Sequence, residues 1–337
     1  MKLSYRHTNL PFEYPFTISN GRTKTHQPAL VVALELGPFM GFGEAPAIVY
    51  YNVTVEQMIA DLEEKRALVE KFALTEPERY WHYLHHLFPE NPFLVCALDM
   101  AAWDLYGKMK NKPLYELWDT KWENTPVTDY TIGIDTIEKM VGKMKAKPWP
   151  VYKIKLGTGE DMQIVEALRK HTDAVLRIDA NAGWTVTEAV EKIPQLAALG
   201  VELIEQPLAK DDWEGMKILF EQSSLPLFAD ESCVFEKDVE KCHNHFHGIN
   251  IKLTKCSGIT PAIRMIQQAR KLNIQVMMGS MNESSIGSAA VANFLPQLDH
   301  VDMDGPLLLS ADIADGIDFN FGKVNLSGRA GLGIRIR

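Results

Sequence analysis

Cysteine is sparse in this chain: Cys96, Cys233, Cys242 and Cys256 are the four among 337 residues, and no two of them form a CxxC. That excludes a disulfide-stapled secreted scaffold and leads to the expectation of a reduced, cytoplasmic protein whose thiols are buried or idle. No run reaches about 18 apolar residues, the length a membrane-spanning helix needs. The opening MKLSYRHTNLPFEYPF has no basic stretch followed by an apolar one, so neither a secretory leader nor a membrane contact is expected. Lysine and arginine form no block and the net charge is −9, which argues against a nucleic-acid surface. A small molecule is left as the expected partner.

What the chain does have is bulk. A hydrophobic content of 46% supports a large core, and 337 residues suit one barrel of ordinary size plus a smaller domain. Residues 1–46 read as antiparallel strands, in KLSYRHTNL, ALVVALEL and FMGFGEAP, and residues 55–110 read as helices, in VEQMIADLEEKRALVEKFAL and FLVCALDMAAWDLYGKMKN. Strands followed by helices suggest a compact α+β domain. From about residue 126 the pattern becomes strand, helix, strand, and counting VTDYTIGI first gives eight strands up to HVDMD. The expected fold class is therefore α/β, a modified TIM (β/α) barrel with an N-terminal α+β capping domain. The divisions expected are 1–115 for the cap, 116–312 for the barrel and 313–337 for a segment returning to the cap.

Seven times between Lys153 and Asp304 an apolar, strand-like run ends on an ionisable or polar side chain, at intervals of roughly 22 to 26 residues. The members are Lys153 and Lys155 in VYKIK, Asp179 in VLRIDAN, Glu205 in VELIEQP, Asp230 in PLFADES, Lys252 in INIK, Ser280 in VMMGS, and Asp302 with Asp304 in HVDMD. In a parallel β/α barrel such strand ends converge on one mouth. Side chains at i and i+2 of a strand share a face, so Lys153 and Lys155, Asp179 and Asn181, and Asp302 and Asp304 are each expected to line the interior together.

Asp179, Glu205 and Asp230, spaced by 26 and 25 residues, are hard oxygen donors suited to one Mg²⁺. Singly, each could equally cap the next helix. Three anions at one mouth require a cation. Two lysines on opposite sides of that metal could face a substrate carbon from either side, one removing a proton and the other returning it. A metal on the adjacent carboxylate would stabilise the enediolate. A lysine base must have its pKa lowered from about 10.4 towards roughly 7 to 8. Repulsion from Lys153 and the cation is expected to supply that shift.

Together KIK at Lys153 to Lys155, DAN at Asp179, EQP at Glu205, ADES at Asp230 and NIKLTKCSG at Lys252 resemble the muconate-lactonising subgroup of the enolase superfamily. The likeness runs across essentially the whole chain, including ALDMAAWDLYGK, which ends at Lys108, and the terminal GLGI. It implies a capping domain on a modified barrel. It also implies that Asp179, Glu205 and Asp230 bind Mg²⁺, that Lys155 and Lys252 are the acid/base pair, that Lys153 contacts the substrate carboxylate, and that Asn181 supports the metal ligands from behind.

Cycloisomerases, succinylbenzoate synthases and N-acylamino acid racemases of the subgroup share those residues, so the reaction turns on the eighth strand. Dipeptide epimerases resemble this chain in carrying an Asp-x-Asp pair that binds the substrate's free α-ammonium, here Asp302 and Asp304. An Asx turn closing the strand is the plainer alternative. The expectation is a Mg²⁺-dependent dipeptide epimerase that inverts the Cα of the C-terminal residue. Thr131 is a candidate polar contact to substrate. The resemblance places side-chain selection in lid loops at 16–25 and 48–52, which hold Ile18, Arg22, Lys24, Tyr50 and Tyr51. Arg22 could meet a second substrate carboxylate or stand solvated, so Ala-Glu and small or hydrophobic dipeptides both stay open. An N-succinylamino acid racemase or cycloisomerase is the rival enzyme, and a non-catalytic metal-binding barrel is the rival from another class. A homo-oligomer would fit the resemblance, although no interface stripe can be read from the chain.

Overall fold

The computed structural model describes residues 1–17 and 23–337. Three antiparallel strands, β1 (Lys2–Thr17), β2 (Thr23–Leu36) and β3 (Phe39–Pro46), form the first sheet in the order β1-β2-β3. Its ALVVAL run is buried on nearly every residue because helices cover the sheet. Those helices are α1 (Val55–Lys71), α2 (Pro77–Leu87) and α3 (Pro92–Lys110). The Thr54 side chain caps α1 by accepting from the Gln57 N–H, and Asn91 does the same for α3 at Leu94. A Cβ at Gly41 or Gly43 would collide with the α3 backbone at Ala101 or Ala97, so β3 can cross this helix only as glycine.

Eight parallel strands follow: β4 (Tyr130–Ile132), β5 (Val151–Lys155), β6 (Val175–Asp179), β7 (Val201–Glu205), β8 (Leu227–Ala229), β9 (Gly248–Ile251), β10 (Gln275–Gly279) and β11 (His300–Asp302). They pair in sequence order, and a parallel bridge from Thr128 to Val301 brings the last strand round to the first. Outward-facing Ile132, Ile154, Ile178, Ile204, Ile249 and Met278 join one apolar core with the surrounding helices. The architecture is the capped, modified β/α barrel expected from the sequence.

The two parts are joined by buried polar contacts that fix particular barrel loops. The indole N–H of Trp81 donates to the Ser257 carbonyl (2.9 Å), and that of Trp103 to Thr260 Oγ1 (2.9 Å). Asp99 accepts from the Thr260 N–H (2.9 Å), while Glu44 accepts from the N–H groups of Ser284 and Gly287 (both 3.1 Å) at the start of the helix Ser285–Ala292. The tail is tied in through Asp104 of α3, whose carboxylate accepts from the N–H groups of Leu332 and Phe42 (2.8 Å each). Among the described residues no helix is long and apolar enough to cross a membrane.

Candidate active site

Barrel register assembles the charged residues. Lys155 pairs with Asp179, and Asp179 with Glu205, so three neighbouring strand ends form one arc of the mouth. Asp230 and Lys252 stand one residue beyond β8 and β9, and Asp302 ends β11. In an eight-stranded ring, strands four apart face each other. Lys155 on β5 therefore opposes Lys252 after β9, while Glu205 on β7 opposes Asp302 on β11. The two lines cross at the barrel axis.

Lys153 lies near that crossing. It is 2% exposed, and its Nζ is 2.7 Å from Glu205 Oε2, 2.7 Å from Asp302 Oδ2 and 3.2 Å from Asp179 Oδ2. Lys155 Nζ donates to Asp179 Oδ2 at 2.6 Å and Lys252 Nζ to Asp230 Oδ2 at 2.7 Å. Burial opposes ionisation of Asp179, but Lys155 and Lys153 outweigh it and hold its pKa at about 2. Asp230 and Asp302 are likewise held below the ordinary carboxylate value against burial, by Lys252 with Lys255 and by Lys153. Glu205 moves the other way, raised by burial and by Asp179.

Two of the lysines are shifted by the carboxylates around them. Burial would lower Lys153 and Lys252, yet Asp302 and Glu205 around the first, and Asp230 and Glu205 around the second, outweigh it and raise both. The chain's own charges favour ammonium there. Lys252 could serve as a base only once released from these carboxylates.

Asp304 caps a different contact. Its Oδ2 accepts from the Thr131 N–H at 2.6 Å. Thr131, 8% exposed, thus serves Asp304 first. Burial and Asp302 push the Asp304 pKa to about 7. Beyond the end of β6 at Asp179, Asn181 takes φ +46° and its backbone N–H donates to Asp179 Oδ1 (3.0 Å). On β10 the residue in register with Asp302 is Gly279, one before Ser280. A Cβ there would come within 2.7 Å of Asn250 Oδ1 and 3.1 Å of Lys252 Cε, so glycine makes room for the lysine stem. Arg22 and Ile18 lie outside the described residues. Tyr50 is 66% exposed and meets the half-buried Tyr51 edge to face at 4.9 Å.

Four further partners lie inside the quoted motifs, which by themselves assign them no role. Asn250, two before Lys252 and so on the same strand face, donates to Glu205 Oε1 at 2.9 Å. Gln206 of EQP, with φ +40°, accepts from the N–H groups of Asp230 (3.0 Å) and Ser232 (3.1 Å). Glu231 of ADES has its pKa pushed to about 7 by burial and by Asp230 and Asp179. Lys255 binds Asp230 from behind.

Among the described residues no three acids, histidines or cysteines already converge as a finished metal cage, because lysine ammoniums hold the carboxylate oxygens. The donor set nevertheless fits a hard divalent cation. Three carboxylates sit on adjacent strands, and two buried acceptors beside them, Glu231 Oε2 and Asn250 Oδ1, have no hydrogen-bond partner. A cavity of about 460 Å³ opens nearby past Thr131, lined by Tyr14, Tyr130, Ile134, Leu307 and Leu308, and touches none of these carboxylates or lysines.

The chain matches the model of the mandelate racemase / muconate lactonizing enzyme N-terminal domain over residues 1–118, and that of the enolase C-terminal domain-like family over residues 135–337. It is 51% identical over 336 residues to an L-Ala-D/L-amino acid epimerase of Flavobacterium johnsoniae, with 100% of each chain covered. The substrate-liganded L-Ala-D/L-Glu epimerase of Bacillus subtilis superposes with a TM-score of 0.93 over 99% of each chain, at 29% identity. A dipeptide epimerase of Cytophaga hutchinsonii, complexed with Mg and D-Ala-L-Val, gives 0.92 over 99% of this chain and 95% of that one, at 25% identity.

Proposed function

This chain belongs to the mandelate racemase and muconate lactonizing enzyme family, and on that footing we propose that it is a Mg²⁺-dependent dipeptide epimerase. It would interconvert the L and D forms of a dipeptide's C-terminal residue by 1,1-proton transfer at Cα. The observation that carries this reading is the crossing of two lines at the mouth: lysines on opposite strands along one, carboxylates along the other.

A dipeptide has an anionic and a cationic end, and the second line suits both. Its C-terminal carboxylate would lie towards Asp179, Glu205 and Asp230 with their metal, and its α-ammonium towards Asp302 and Asp304. Lys153, between the two groups, would bind the substrate carboxylate. Bound Mg²⁺ would supply a Lewis acid for that carboxylate and take up the negative charge that otherwise favours the ammonium forms of Lys153 and Lys252. Held so, the reacting Cα faces Lys155 on one side and Lys252 on the other. One lysine, as free amine, takes the α-proton and becomes ammonium. The substrate is left as an enediolate, and the opposite lysine, starting as ammonium, delivers a proton to the other face. The reverse reaction exchanges their roles.

An N-acylated amino acid has no α-ammonium to meet Asp302 and Asp304, so the rival reading as an N-succinylamino acid racemase leaves that pair without the partner a free dipeptide supplies. Proton NMR of the purified protein with Mg²⁺ in D₂O separates the two, with dipeptide libraries varied at both positions. The epimerase reading expects loss of the C-terminal residue's α-proton signal in free-amine dipeptides. Exchange confined to N-succinylamino acids would overturn it.

A further inference from the structure

Lys255 takes no part in that proton transfer, yet it is the most thoroughly bonded ammonium of the mouth. It is 1% exposed, and its Nζ, with three N–H groups to give, lies within hydrogen-bond distance of four oxygens: Asp230 Oδ1 (2.5 Å), the Asp230 carbonyl (2.6 Å), the Cys233 carbonyl (3.1 Å) and the Asn250 carbonyl (3.3 Å). It stands on the short helix Leu253–Cys256, immediately after Lys252. That helix ends on Ser257 at φ +73°, and the Ser257 carbonyl is held by Trp81 of the capping domain at 2.9 Å. Both ends of the segment are thereby fixed.

The consequence falls on Asp230, whose two oxygens are divided. Oδ1 belongs to Lys255, and Oδ2 points to Lys252 at 2.7 Å. We propose that Lys255 is a positioning residue that restricts Asp230 to a single ligating oxygen and so sets the preference of this site for Mg²⁺ over Ca²⁺. The inference rests on the metal reading given above.

Mg²⁺ binds at about 2.0–2.1 Å in near-ideal octahedral geometry, whereas Ca²⁺ takes about six to eight oxygens at about 2.3–2.6 Å and readily uses both oxygens of one carboxylate. Two-oxygen chelation by Asp230 would require Oδ1 to leave a buried ammonium, stranding that charge among three carbonyls. Separating a buried, hydrogen-bonded ion pair is costly. Removing the ammonium frees Oδ1 and opens the larger coordination shell. Loss of one positive charge beside the site raises the affinity for both divalent ions alike, so this electrostatic effect cancels in their ratio.

The test is calorimetric titration of the full-length protein with MgCl₂ and with CaCl₂, for wild type and Lys255→Met, with thermal unfolding to establish that the variant is folded. The expected result is that Kd for Ca²⁺ relative to Kd for Mg²⁺ falls by about tenfold in the variant. Should Lys255→Met not fold, Lys255→Gln keeps a donor for the neighbouring carbonyls and is expected to shift the ratio in the same direction. An unchanged ratio in a folded variant, with wild type still binding Mg²⁺, overturns this inference alone. Failure of the wild type to bind either ion overturns the metal reading and this inference with it.

Discussion

The mouth and the floor of the barrel both bury charge, and they do so with different cations. At the mouth, Asp179, Glu205, Asp230 and Asp302 are met by the ammoniums of Lys153, Lys155, Lys252 and Lys255. Below them stands a single guanidinium: Arg177 donates to Glu202 Oε2 (2.7 Å), Asp129 Oδ2 (3.1 Å) and the Val301 carbonyl (3.1 Å). It shares the interior with an apolar plug of Leu203, Phe228 and Met277. A lysine is a compact charge on a flexible stem that can shift or lose its proton, whereas arginine is permanently charged and planar. The difference separates a layer that can rearrange when substrate and metal arrive from a layer that holds the strands in place.

Substitution can break this contrast in either direction. At the mouth, Lys155→Ala is expected to lower kcat for epimerisation by about 10²- to 10⁴-fold, the usual weight of a general acid/base. Its thermal midpoint should stay near that of wild type, since the Lys155 side chain is 24% exposed. At the floor, Arg177→Met leaves Asp129 and Glu202 without their cation. Denaturant unfolding should show a loss of about 3–5 kcal/mol, with KM for substrate little changed in the molecules that remain folded. Equal stability losses in the two variants would erase the distinction between the layers.

A smaller effect sharpens the contrast within the mouth. Burial and Asp302 raise Asp304 to about 7, and an α-ammonium needs the ionised form, so KM for a dipeptide should rise as pH falls below 7. Well below that point the rise approaches about tenfold per pH unit, and Asp304→Asn should flatten it. Stability carries the opposite sign. The unfolded chain ionises Asp304 near its ordinary value of 3.8 while the native one keeps the proton to about 7. Stability is therefore lost as pH rises across that window, and the Asn variant should lack that part of the slope when unfolding is followed from pH 4 to 7.

The sequence displays the mouth better than what supports it. Strand-end acids and lysines recur with the period of the barrel, and their motifs carry the family likeness, so Lys155, Asp179, Glu205, Asp230, Lys252 and Asp302 are legible in the chain itself. Alternation along a strand misleads where the strand stops. It draws attention to Ser280 where Gly279 faces the site. Lys255 sits in LTKC and reads as an ordinary helix lysine; only the fold brings it onto Asp230. Long-range partners leave no local trace at all. Thr131 meets Asp304 across 173 residues, and Glu44 of the cap reaches Ser284 across 240.

The most direct test of two opposed lysines is stereospecific deuterium exchange. Lys155→Ala and Lys252→Ala would each be incubated in D₂O with Mg²⁺ and, separately, with the L and D forms of an accepted dipeptide, the α-proton being followed by NMR. One lysine on each face predicts that the two variants wash out the α-proton of opposite stereoisomers, neither producing the epimer at an appreciable rate. Exchange of the same stereoisomer by both variants, or epimerisation surviving in either, would contradict the two-sided site.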